Sequence, residues 1–196
     1  MLCRLTPRGR LASGIVLSFL AMAATGFAAD EDKKFSDEKF SFSLTVPAPW
    51  AEAPLAAYTV PGTTRGAWSG PSGSSIVAFV QEPGQAISPR ILVDASAAAM
   101  KDKLGCKVDA ADVKTVGGKK AMWLVATGKG TGGALTGQGD VETTTHWVAI
   151  PREKDVVVVL LTCPAADYAD RLPSFEKAIK SLVIGGAQSA EQSEAK

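Results

Sequence analysis

The sequence is poor in the residues from which metal and catalytic sites are built. It has one histidine, His146, and three cysteines. No CxxC and no HExxH is present, so the ligand spacings of structural and catalytic zinc sites are missing. GxSxG is absent, and a hydrolase needs a nucleophile, a base and an oxyanion hole together. A phosphate loop ending in GK[ST] is absent too. Neither sign of charge is in surplus: 21 lysines and arginines stand against 20 acids, a net charge of +1. That excludes the basic excess of a nucleic-acid or anionic-membrane binder. The most apolar run, Ile15–Ala24, is too short for a comfortable membrane span.

What surrounds that run is a targeting pattern. Arg4, Arg8 and Arg10 precede it, and Gly26-Phe27-Ala28 supplies small residues for cleavage. Residues 1–28 are therefore read as a secretory signal peptide, removed near Ala28 or Ala29, with no stable membrane span left afterwards. Removing three arginines from a net +1 leaves about −2 on the exported chain. The expected location is periplasmic or secreted. Residues 36–184 are expected to form one domain, and the small polar tail 185–196 to be disordered. Two cysteines remain in an oxidising setting, Cys106 and Cys163, and a disulfide between them is the default expectation.

The richest stretch is Asp155–Cys163, DVVVVLLTC. It is apolar at successive positions rather than alternate ones. That predicts a strand covered on both faces, around which the rest is organised. Phe40–Val46 alternates strictly and predicts a strand with Phe40, Phe42, Leu44 and Val46 inward. The charged segment 29–38 before it is expected to fray. Pro47 and Pro49 stop the strand, and Trp50 follows as a plug at the domain edge. A short hairpin is expected from Tyr58–Val60 and Arg65–Ser69, then a loop and a strand over Ser75–Gln81.

Ser88-Pro89 has the form of a helix start, and Gly105 of a helix stop after Leu104. Val93, Ala97, Met100 and Leu104 make one stripe on that helix. Strands over Cys106–Val116 and Lys119–Thr127 flank a Gly117-Gly118 turn, and Val141–Ile150 returns as a further strand. A second helical region opens at Pro164, with a break expected at Pro173 and an inward stripe of Phe175, Ala178, Ile179 and Leu182.

Three segments, FSFSLTVPAPW, GGKKAMWLVATG and VAIPREKDVVVVLLTCP with FEKAIKSLVI, together resemble the PsbP and Mog-type family. The resemblance covers residues 40–184. It implies an α+β fold, a mostly antiparallel sheet sandwiched between helices. That family includes extrinsic subunits of the photosynthetic oxygen-evolving complex, a nuclear Ran-binding protein and bacterial exported proteins. It is not mainly known for catalysis, and none of its functional residues transfers position by position.

The candidate site lies on the hairpin 119–150. Between its strands runs GKGTGGALTGQG, residues 128–139, with six glycines. Its GxGxxG spacing has no helix following, so a dinucleotide loop is not indicated and no cofactor is implied. Trp123, Trp147 and His146, with Gly130 and Gly133 of the loop, are expected to line a contact groove, since aromatic side chains anchor binding surfaces. The plain alternative is that both tryptophans are core. The expected function is a non-enzymatic exported domain that binds a protein or a cell-envelope component. A second reading is a small-molecule or metal-ion carrier using the same hairpin, with Asp140, Glu142 and His146 near an ion. A third is a hydrolase or thiol enzyme centred on His146 and a cysteine.

Overall fold

A computed structural model of the chain describes residues 31–58, 60, 62–129 and 141–185. The signal segment, most of the glycine loop with Gly130, Gly133 and Asp140, and the tail from residue 186 lie outside them. Ten strands and two α-helices are described: β1 (Lys33–Asp37), β2 (Phe42–Val46), β3 (Ala51–Glu52), β4 (Thr63–Ser69), β5 (Ser75–Gln81), α1 (Pro89–Leu104), β6 (Lys107–Val116), β7 (Lys119–Lys129), β8 (Glu142–Pro151), β9 (Val156–Pro164), α2 (Tyr168–Lys180) and β10 (Val183–Ile184).

Seven strands form one antiparallel sheet in the order β3-β4-β5-β9-β8-β7-β6. The valine-rich strand β9 is its middle member. Its odd-numbered residues Val157, Val159, Leu161 and Cys163 join one buried cluster, and Val156, Val158 and Leu160 join the other. Alternation along a strand sends successive side chains to opposite faces, so a strand covered twice must be apolar throughout. α1 covers the second face through Val93. The first face is covered by α2 and by a small sheet, β1-β2-β10, which supplies Phe42, Leu44 and Val46. The result is the α+β sandwich that the sequence implied.

Local signals explain the element ends. Ser88 Oγ accepts from the Ile91 amide, and Pro89 occupies the first turn, where its missing N–H costs nothing. Gly105 closes α1 in the left-handed region at φ 62°, a conformation glycine adopts without a Cβ clash. Gly117 and Gly118 both have positive φ, 54° and 78°, the requirement of a type I′ two-residue hairpin between β6 and β7. The two sheets are tied by Arg152. It chelates Asp155 across the β8–β9 turn and donates from Nη1 to the Phe40 carbonyl at 2.6 Å.

Four expectations change. The charged segment does not fray throughout: residues 33–37 pair with β2, because β2 offers an unpaired edge and Phe35 packs on Phe42 at 5.8 Å. Tyr58 and Val60 are not strand, and β4 pairs with β3 instead. Leu104 is exposed rather than inward. α2 runs through Pro173 unbroken. Proline there removes one intrahelical bond, but Phe175, Ala178 and Ile179 are buried on the same helix face, and that packing outweighs the loss.

The expected disulfide is also corrected: Cys106 and Cys163 are free thiols, both buried. The register shows why. Cys163 pairs with Thr144, Thr144 with Thr127, and Thr127 with Lys107, the residue after Cys106. Three strand spacings separate the two cysteines, about 14 Å. A disulfide needs Cα atoms within about 7 Å. The Cys163 thiol is pushed up to about 12, mainly by burial and then by Asp167. We expect alkylation without reductant to modify both Cys106 and Cys163 once the protein is unfolded, and neither rapidly in the native state. Peptide mapping checks this, and a recovered Cys106–Cys163 bridge would contradict the register.

Candidate functional site: the Trp123 cleft and the buried His146 cluster

The structure separates the residues that the sequence placed in one groove. β7 and β8 pair with Trp123 opposite Val148 and Leu124 opposite Trp147. Residues directly opposite share a face, so the two tryptophans lie on opposite faces of the sheet. Trp147 packs edge-on to Phe79, at 5.8 Å and 87°, beneath α1. Trp123 packs on the other side, against the cluster under α2. The described end of the hairpin, Lys129, is six residues along β7 from Trp123, about 20 Å. Trp123 therefore stands in the middle of the strand, well away from the glycine loop.

Trp123 and His146 do meet. Their ring centres are 4.4 Å apart and nearly perpendicular. Phe175 lies 4.8 Å from the same imidazole, and Nδ1 hydrogen-bonds the Tyr168 hydroxyl at 3.0 Å. His146 is 1% exposed, and its Nε2 has no hydrogen-bond partner. Burial, then the nearby Lys114 charge, lowers its pKa to about 3. The imidazole is therefore neutral at physiological pH. A thiol enzyme needs the opposite shifts, a lowered thiol and a histidine that accepts its proton. Cys163 and His146 are each shifted the wrong way, and the Cys163 thiol faces the Thr144 carbonyl at 4.0 Å.

The threonines of β8 are hydrogen-bonding partners of β7. Thr144 bonds Thr127 at 2.9 Å, Thr127 donates to Asp109 at 2.7 Å, and Thr145 donates to the Ala126 carbonyl at 3.4 Å. These bonds tie β8 to β7 and β7 to β6, while the buried Thr162 and Ser75 hydroxyls, in register beside Thr145, have no hydrogen-bond partner. Of the ion site drawn from Asp140, Glu142 and His146, Asp140 lies outside the described residues and the other two do not meet. Glu142 is exposed while His146 is buried four residues along the strand, and among the described residues no three His, Cys, Asp or Glu side chains converge.

What remains open to a partner is the outer side of Trp123. A cleft of roughly 490 Å³ runs between the β6–β7 hairpin and α2, lined by Thr115, Val116, Trp123, Glu176, Ile179 and Lys180. Lys114 Nζ stands 4.2 Å from the Trp123 ring centre, a cation–π contact. The sequence showed Trp123 but not its neighbours, because the hairpin and α2 are some 60 positions apart in the chain.

Comparison with solved structures adds the fold relationship. The chain matches the cyanobacterial PsbP protein CyanoP of Synechocystis sp. PCC 6803 with a TM-score of 0.55 and 9% identity, over 82% of this chain and 96% of that one. It matches the Ran-binding protein Mog1p of Saccharomyces cerevisiae with a TM-score of 0.52 and 10% identity, over 80% and 96%. The fold is of the PsbP and Mog type. A third match with this fold is LpqN of Mycobacterium tuberculosis, a protein involved in cell-envelope biogenesis, with a TM-score of 0.53 and 17% identity over 79% and 90%. The chain also spans half the length of a Bacteroides thetaiotaomicron structure, with a TM-score of 0.53 and 13% identity. No family profile and no curated sequence matches the chain. Among the described residues no helix is long and apolar enough to cross a membrane.

Proposed function

We propose that this protein is an exported binding domain whose Trp123 cleft holds a protein or envelope component. The domain is taken as residues 36–184 behind a cleaved signal, 1–28. The observation that carries the reading is the half-buried Trp123, standing in a cleft beside Lys114 and Lys180. A large aromatic ring at the centre of a concavity is the usual anchor of an interface, and flanking charges set orientation. Lys114 and Lys180 are balanced by Glu176 and by Asp112, which pairs directly opposite Trp123, so the apolar ring rather than a net charge selects the partner. Two proteins of the same fold support the class: Mog1p binds Ran, and LpqN takes part in envelope biogenesis. The buried, neutral His146 and the raised Cys163 thiol weigh against the catalytic alternative.

A photo-crosslinking residue placed at Thr115 or Lys180 should capture the same partner in the envelope fraction. One placed at Arg90, exposed on α1 on the other side of the sheet, should not. Trp123→Ala should reduce the captured yield by about 30-fold, the equivalent of about 2 kcal/mol at an interface anchor. Equal capture from all three positions, or no effect of Trp123→Ala, would refute the cleft as the contact.

A further inference from the structure

The large sheet ends on β3 at one side and on β6 at the other. β3 is two residues long, too short to hold another strand, whereas β6 has ten. Among the described residues no strand pairs with the outer side of β6. Ala110, Ala111, Asp112, Lys114 and Thr115 are exposed along it. A row of backbone donors and acceptors with no strand beside it is a ready site for one more strand.

Which strand fits follows from the backbone and from the order of charges. β6 reads KVDAADVKTV. A bulge between Val108 and Ala110 turns its first residues out of line, and residues 110–116 pair regularly with β7. Within that regular part the Val113 amide donates to the Asp112 carboxylate at 2.7 Å, so it faces away from β7. Backbone groups alternate along an antiparallel strand, so those of Ala111 and Thr115 face outward with it. Asp112 pairs opposite Trp123, and Lys114 Nζ stands 4.2 Å from that ring, so both charges lie on one face of the sheet. We propose that β6 pairs antiparallel with β6 of a second copy of this chain, about a two-fold axis at Val113. Val113 then meets Val113, and Ala111 meets Thr115 on either side, so that the outward amides and carbonyls bond across the axis. The same register sets Asp112 of each copy opposite Lys114 of the other. Sliding to the next register that keeps the outward groups facing puts Asp112 opposite Asp112 in one direction and Lys114 opposite Lys114 in the other. Like charges directly opposite are unfavourable, so the sequence selects a second copy and a single register. The pairing is independent of what the Trp123 cleft holds, and it sets the two clefts on one face with their Trp123 Cα atoms about 16 Å apart.

A pairing of this length is a small contact, so a dissociation constant of roughly 10–100 µM is expected. Sedimentation equilibrium of the full chain, up to about 1 mM, should show a monomer–dimer equilibrium in that range. Asp112→Lys and Lys114→Asp should each weaken it by at least about ten-fold, because both place like charges across the axis. The double variant exchanges the two charges and should return to within about three-fold of the unaltered chain. Ala111→Pro removes an outward amide without touching the β7 ladder, and should weaken association by about ten-fold. Hydrogen exchange at the amides of Ala111, Val113 and Thr115 should slow as concentration rises, while that of Asp112 and Lys114 should not follow it. A monomer throughout the range would make Asp112 and Lys114 guards of the edge and overturn the proposal. Association untouched by Asp112→Lys, or a double variant no better than the single ones, would overturn it too. The exchange pattern is read on the unaltered chain, so it decides even where a variant fails to fold.

Discussion

Phe175→Ala should lower the stability of the protein by about 3–5 kcal/mol, the range for removing a buried aromatic ring from a core. In a domain of this size that is a fall of roughly 6–20 °C in melting temperature. Phe175 is fully buried on α2 and belongs to the cluster that joins the two sheets. On one side that cluster contains Phe42, Leu44 and Val46 of the small sheet, and on the other Val159 and Leu161 of β9. Strands on both sides are held by their own ladders, so the walls cannot collapse into the space left by the ring. The imidazole of His146 would also lose a packing face at 4.8 Å. The control is Arg90→Ala, which removes only an exposed i,i+4 pair with Asp94 and should change stability by no more than about 0.5 kcal/mol. Urea denaturation checks both. A loss below about 1 kcal/mol for Phe175→Ala would mean that α2 does not pin the small sheet to the large one.

The elements that were legible in the sequence are those written in short-range chemistry. DVVVV needs no partner to show that it is buried twice, Ser88-Pro89 and Gly105 mark both ends of α1, and FSFSLTV shows its inward face by alternation. The candidate site was only half legible, and the reason is parity. Trp123 and Trp147 belong to neighbouring strands, as expected, but which faces they occupy depends on the register between β7 and β8. A one-residue slip sends every side chain to the other face. The two-residue turn at Gly117-Gly118 fixes the register of β6 with β7. The connection between β7 and β8 is long and glycine-rich, and its sequence specifies no turn type. The cysteine pairing failed for a related reason. Export favours a bridge, but only strand order reveals that β7 and β8 stand between the strand after Cys106 and the strand of Cys163.

The second large effect expected is on pH dependence, and His146 carries it. The histidine has an ordinary pKa of 6.5, and burial in the folded protein lowers it to about 3. Below 6.5 the unfolded chain takes up a proton that the folded protein refuses. Protonation therefore favours unfolding: the contribution is fully present above 6.5 and is lost as pH falls toward 3. At about 1.36 kcal/mol for each pH unit in that window, the loss between pH 7 and pH 4 is roughly 3 kcal/mol. Other groups around the site do not imitate this. Asp109 is lowered by its bonds to Lys107 and Thr127. Its contribution is lost only as pH falls below the ordinary carboxylate value of 3.8, outside the window. Tyr168, which holds Nδ1, is raised to about 12 by burial and stays protonated throughout. His146→Gln cannot titrate, yet its amide can still meet the Tyr168 hydroxyl. The difference in stability between wild type and variant, measured by urea denaturation at pH 7, 5.5 and 4, should shift by about 3 kcal/mol in favour of the variant across that range. Parallel pH profiles would show that the imidazole protonates in place. In that case the histidine is accessible to protons, and the argument against its acting as a base with Cys163 would lose its footing.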